Sequence, residues 1–148
     1  MLIDTWNGKI EEYYYINQMP TIAEIEQSGF DKVNAYRATQ GLPALVRNTF
    51  IDTQCRIHSQ NMANGSVPFG HQGFSTRVIN TGIRYTSAAE NVAYNQGYAD
   101  SAKVAVDGWL KSAGHLANIK GNFNLAGMGV AVNPQGAWYF TQIFIKQA

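Results

Sequence analysis

The chain has 148 residues and a mass of 16.3 kDa, which fits one domain of ~100–200 residues. With 45% apolar and 12% aromatic residues it is not a disordered chain. Charged residues are only 14% and the net charge is +1, which argues against a phosphate-tracking surface and a nucleic-acid partner.

The polar surface therefore falls to amides and hydroxyls, with 13 Asn and 10 Gln in the chain. The single cysteine, Cys55, rules out an intrachain disulfide. No apolar run approaches the ~20 residues of a membrane-spanning helix. The start, Met1 to Trp6, has no basic stretch followed by an apolar one, so no export signal is expected in this chain.

Residues 1–20 read as an N-terminal extension, with residues 21–148 as the domain. The extension carries Tyr13, Tyr14 and Tyr15, predicted to lie as an aromatic strap on the domain surface. Thr21 to Gln40 has the three-to-four spacing of a helix through Ile22, Ile25, Phe30 and Val33. Ser28-Gly29 is a candidate break, and Gly41-Leu42-Pro43 a stop. A second helix is predicted from Asn48 to Asn64, with Ile51, Cys55, His58 and Met62 on one face and Asn48 as N-cap. Residues 65–87 read as loop, and Ala88 to Tyr94 as a short strand.

Asp100 is placed to cap a third helix through Ala102, Ala105, Val106, Trp109 and Leu110, with Gly114 as its stop. His115 to Ile119 can begin a further helical turn. Met128, Val130 and Val132 then alternate with Gly127, Gly129 and Ala131 as a strand. Asn133-Pro134-Gln135-Gly136 reads as a type I turn into a last strand from Trp138 to Ile145. That strand is apolar on both faces, so both need cover. The expected fold is α/β, a three-layer α-β-α sandwich.

Three histidines narrow the chemistry. His58 lies on an apolar stripe and reads as a packing histidine satisfied by one hydrogen bond. His71 sits in a glycine-rich loop, where functional groups often stand. His115 follows Gly114, and its bland reading is a cation at a helix C-terminus. Glu90 lies among small and apolar residues, Ala88-Ala89-Glu90-Asn91-Val92-Ala93. A buried carboxylate is costly unless paired or bound to a metal, so it needs a partner, naturally a histidine. Two imidazoles and a carboxylate would match an open, three-ligand zinc site. No His-Glu-x-x-His helix and no Gly-x-Ser-x-Gly elbow is present. Cys55 reads as a buried small hydrophobe. Asn64-Gly65-Ser66 is a formal glycosylation sequon.

Several of these segments together resemble one family. Trp109-Leu110-Lys111-Ser112-Ala113-Gly114-His115-Leu116-Ala117-Asn118-Ile119 is similar to the Trp-x-x-Ser-x-Gly-His-x-x-Asn-Ile signature of bacterial CAP-superfamily (SCP-like) domains. This superfamily comprises cysteine-rich secretory, antigen 5 and pathogenesis-related proteins. Glu90-Asn91-Val92, His71 after Met62-Ala63-Asn64-Gly65, Asn34-Ala35-Tyr36-Arg37 and Tyr139-Phe140-Thr141-Gln142 resemble its other landmarks. The resemblance covers about residues 25–146.

The resemblance implies an α-β-α sandwich with a surface cleft holding His71, Glu90, Ser112 and His115. Ser112 stands where many eukaryotic members carry a second glutamate, which removes one candidate general base. The implied function is a non-enzymatic binding module of extracellular type. In it, zinc or another divalent cation is held by His71 and His115, with Glu90 orienting one of them. Its ligand would be a small lipid, a peptide or a glycan, associated with the cell surface or wall. Localisation would be secreted or at the cell surface. The alternative is a metal-dependent hydrolase, peptidase or esterase, with Glu90 as candidate catalytic base in the same cleft.

Overall fold

The computed structural model describes residues 19–148 together with Lys9. The strap predicted at Tyr13–Tyr15, and the rest of the extension up to residue 18 apart from Lys9, lie outside the described residues. Among the described residues, nine elements follow in chain order. They are α1 (Ile22–Thr39), β1 (Val46–Arg47), α2 (Thr49–Ala63), α3 (Phe74–Asn80), β2 (Tyr85–Gln96), α4 (Ser101–Leu110), α5 (Ala113–Ile119), β3 (Leu125–Val132) and β4 (Ala137–Gln147). The sheet order is β1-β3-β4-β2. β1 runs parallel to β3, and both other pairings are antiparallel.

Both faces of the sheet are covered, as the two-sided apolar pattern of the last strand requires. Phe140 and Phe144 of β4 join Ile25, Phe30 and Val33 of α1, Trp109 of α4 and Ile119 of α5 in one core. Ile143 and Ile145 join Ile51 and Cys55 of α2 and Val78 of α3 in a second. The result is the expected three-layer sandwich. Gly127 and Gly129 let α2 lie directly on the sheet, because a Cβ on Gly129 would stand 2.1 Å from the Arg56 backbone nitrogen.

The helix starts follow their capping residues. Asn48 Oδ1 accepts from the amides of Phe50 and Ile51, and Asp100 from that of Lys103. Thr21 and Glu24 form a reciprocal capping box that starts α1.

Three local expectations change. Ser28-Gly29 does not break α1, which runs unbroken for 18 residues. Gly29 is buried there and leaves room for the Met128 side chain. The stretch 65–87 is not all loop, since it contains α3 and the start of β2. Gly114 does not stop α4, which ends at Leu110 with Lys111 as its C-cap; Gly114 lies inside α5. His115 therefore sits in the first turns of α5, and its reading as a cation on the C-terminal dipole of α4 falls away.

Both sheet edges are sealed by side chains rather than left open. At β3, Asp52 accepts from the Met128 amide and Glu26 from the Val130 amide. At β2, Trp109 Nε1 donates to the Val92 carbonyl at 2.9 Å, and Asn118 Nδ2 to that of Glu90. Blunting an edge this way removes a template for unwanted strand pairing. Among the described residues no helix is long and apolar enough to cross a membrane.

Candidate functional site

The site forms where β2, α4 and α5 meet the loop leaving α2. Glu90 lies on β2 and points toward α3, only 6% exposed. Its charge is answered twice. Arg77 of α3 donates from Nε to Oε2 at 2.8 Å and from Nη2 to Oε1 at 2.7 Å, a two-pronged pairing. His71 Nδ1 lies 2.9 Å from the same Oε1. As an N–H donor to the carboxylate, that nitrogen leaves His71 Nε2 with the lone pair. Arg77 also donates to the carbonyls of Gln72 and His71, so one guanidinium fixes both the carboxylate and the histidine loop.

His58 holds the same loop from α2. It is buried, and its Nε2 donates to the Gly70 carbonyl at 2.7 Å. Burial lowers its pKa, with the Gly70 carbonyl acting in the opposite direction. The packing role read from the sequence is what this geometry shows.

His115 is placed by asparagines. Asn91, on the β2 face opposite to Glu90, donates to the His115 carbonyl at 3.1 Å. Asn118 donates to Asn91 Oδ1 at 2.9 Å and ties α5 to the strand. Ser112 is the N-cap of α5, but its hydroxyl meets His115 Nδ1 at 2.8 Å rather than a backbone amide. Burial lowers the His115 pKa, and His71 lowers it further. The two imidazoles are thus near enough for charge on one to oppose charge on the other. Each has Nδ1 engaged and Nε2 without a partner among the described residues.

Beside them runs a groove of about 420 Å³ between the β2 edge and α4. Its walls are mostly apolar, with Phe69, Val92, Tyr94 and Trp109, and it ends at Ser112 and His115. Phe69 meets Tyr94 edge to face at 5.1 Å, and Tyr94 stacks on Tyr139 at 5.6 Å. A volume in the ~300–1,000 Å³ range, with apolar walls and few polar groups, is what small-ligand sites have.

His71 and Glu90 are in contact, and His115 and Ser112 are in contact nearby. Glu90 is not free to be a third metal ligand, since both its oxygens are taken by Arg77 and His71. Among the described residues no group of three or more His, Cys, Asp or Glu side chains is arranged to hold a metal ion. The two imidazole Nε2 atoms are the donors left open, each ring oriented through its Nδ1 bond.

Arg77 was not picked out from the sequence, because it stood in a stretch read as loop. The signal available was the cost of Glu90 itself, which calls for a cation as well as an imidazole. Phe69, Tyr94 and Asn118 were likewise not singled out as site residues.

A helix–sheet–helix domain with a histidine-ended groove on one sheet edge defines the class. The family model of the cysteine-rich secretory protein family (CAP) matches residues 30–144, and the chain belongs to that family.

Solved structures agree on the fold. An extracellular protein containing an SCP domain from Bacillus anthracis str. Ames matches with TM-score 0.70 and 26% identity, over 85% of this chain and 43% of that one. A cysteine-rich secretory protein from Staphylococcus aureus subsp. aureus Mu50 matches with TM-score 0.70 and 18% identity, over 86% and 40%. An outer surface protein of Borrelia burgdorferi matches with TM-score 0.70 and 14% identity, over 80% and 90%. The chain thus spans 43% and 40% of the lengths of the first two. No curated protein matches it.

Proposed function

We propose that this domain is a non-enzymatic binding module of extracellular type, whose ligand lies in the groove between β2 and α4. The observation that carries the reading is the union of an apolar groove with two imidazoles whose Nε2 atoms are unengaged. The partner is a small lipid, a peptide or a glycan of a cell surface or wall. Secretion is part of this reading, supported by the family and by relatives described as extracellular or outer-surface proteins.

A divalent cation, zinc or another, would be held by His71 and His115 through Nε2, with its remaining positions taken by water or ligand. Such an ion would supply a Lewis-acidic anchor for a ligand oxygen. Glu90 acts here as the support that orients His71. It is a poor general base, because Arg77 and His71 already occupy both oxygens. That occupancy favours binding over the hydrolytic alternative.

The test is calorimetric titration with zinc of the wild type, His71→Ala and His115→Ala. Saturable heat in the wild type, lost in both variants, supports the cation site. Equal heats in all three remove it. A screen of ester and peptide substrates, with Glu90→Gln as control, tests the other reading. Turnover abolished by Glu90→Gln would replace binding with hydrolysis.

A further inference from the structure

Asn64-Gly65-Ser66 lies at the end of α2, outside the groove, and its chemistry is independent of the binding reading. Asn64 is the C-cap of α2, and all three residues are exposed. Asn64 Oδ1 accepts from the Ser66 amide at 2.9 Å and also from the Ser66 hydroxyl. The ring closed by the first of these bonds runs through the Asn64 side chain and the Gly65 nitrogen, so Cγ is held close to that nitrogen.

Three asparagines accept an amide two residues on in this way. Asn48 takes that of Phe50, Asn64 that of Ser66 and Asn133 that of Gln135. The residue that follows each one differs. Thr49 is β-branched and begins α2, and Pro134 has no N–H to give up. Of the three, Asn64 alone is followed by glycine, which has no side chain to crowd its nitrogen. Gly65 sits at φ +77°, in the left-handed region. Its N–H makes one long bond of 3.3 Å, to the Met62 carbonyl, and little is lost when that bond breaks.

We propose that Asn64 is a site of self-modification, converting without a partner to aspartate and isoaspartate. The Gly65 nitrogen loses its proton to solvent base and attacks Asn64 Cγ. Negative charge gathers on Oδ1, where the Ser66 amide and hydroxyl already donate, an arrangement that stabilises an oxyanion. The Cγ–Nδ2 bond then breaks, and Nδ2 leaves as ammonia, taking a proton from water. Water opens the resulting five-membered imide at either carbonyl. One opening gives aspartate in a normal chain, and the other gives a main chain lengthened by one methylene. One water is consumed and one ammonia released, with no oxidation or reduction. The net charge of the chain goes from +1 to 0. The new carboxylate stands at the C-terminal end of α2, where the helix dipole opposes it. It also begins the loop whose Gly70 and His71 carbonyls are held by His58 and Arg77.

The test is incubation of the folded whole chain for several weeks in mildly alkaline buffer. Ion exchange separates the product by its lost charge, and peptide fragmentation locates the acid. Conversion at Asn64 is expected, with Asn48 and Asn133 keeping their amides. The rate should rise about tenfold per pH unit, since the deprotonated nitrogen is the nucleophile. Ser66→Ala removes one of the two donors to Oδ1, and conversion at Asn64 should slow by about threefold or more. Conversion at Asn7-Gly8, the other Asn-Gly step of the chain, should not change. The Ser66 hydroxyl is exposed and bonds only to Asn64 among the described residues, so the variant should melt at the wild-type temperature. Retention of the Asn64 amide overturns the proposal. So does a Ser66→Ala rate equal to that of the wild type, or conversion of Asn48 or Asn133 as fast as that of Asn64.

Discussion

Glu26 and Glu90 are buried glutamates at opposite edges of one sheet, and each is held by arginine. Glu26, 1% exposed, accepts from Arg56 and Arg47 and caps the Val130 amide. Arg47 continues to Asp52, which caps Met128. Every partner there ends in the protein, and the network closes the β3 edge. Glu90 is held as firmly by Arg77, but its second partner is an imidazole whose side chain is 51% exposed. The larger surface depression, about 690 Å³, lies over Glu26 and Arg56, yet its charged groups satisfy one another. A buried ion pair therefore does not mark a site by itself. The mark is a network that leaves one group, here the Nε2 of the half-exposed His71, without a partner among the described residues.

Breaking the cleft pair should cost most. Glu90→Ala strands Arg77, which is itself buried, and about 3–5 kcal/mol of stability should go, measured by urea unfolding. At the other edge, Glu26→Ala should cost less, about 1–3 kcal/mol, because Arg56 is half exposed and Arg47 keeps Asp52. Equal losses in the two variants would contradict the contrast drawn between the networks. Gly129→Ala probes the same edge sterically. Its methyl would collide with the α2 backbone, and a loss of about 1–3 kcal/mol is expected by thermal or chemical unfolding.

Acid should act on the cleft side. Burial lowers the pKa values of both His58 and His115 below 6.5. The unfolded chain then takes up protons at a higher pH than the folded one does. Stability is thus held at neutral pH and lost as pH falls below about 6.5. Unfolding curves between pH 7.5 and 5.5 should show this slope, reduced in His58→Gln and retained in Glu26→Ala. The smallest effect is a gain. Gly108→Ala should add about 0.5–1 kcal/mol, since it removes unfolded-state freedom without a clash.

Much of the fold was legible because it rests on local rules. Asn48 and Asp100 cap the helices they precede, and the turn at Asn133–Gly136 closes with the Gly136 amide on the Asn133 carbonyl. What was missed is short. The seven residues of α3 and the two of β1 offer too few positions for a period to emerge. The unbroken α1 was misjudged at Gly29, where propensity argued for a break and the Met128 contact outweighed it.

By itself the sequence determined the layers, the helices α1, α2, α4 and α5 and the last hairpin, and with the family resemblance it singled out His71, Glu90, Ser112 and His115. Those features follow from periodicity, caps and the cost of burying a carboxylate, or from motifs short enough to read along the chain. Only the tertiary structure decided that Arg77 takes both oxygens of Glu90, that Ser112 meets His115, and that Phe69 and Tyr94 share a groove with Asn95. Pairings between residues distant along the chain depend on how the helices pack on the sheet, and no local spacing encodes that packing.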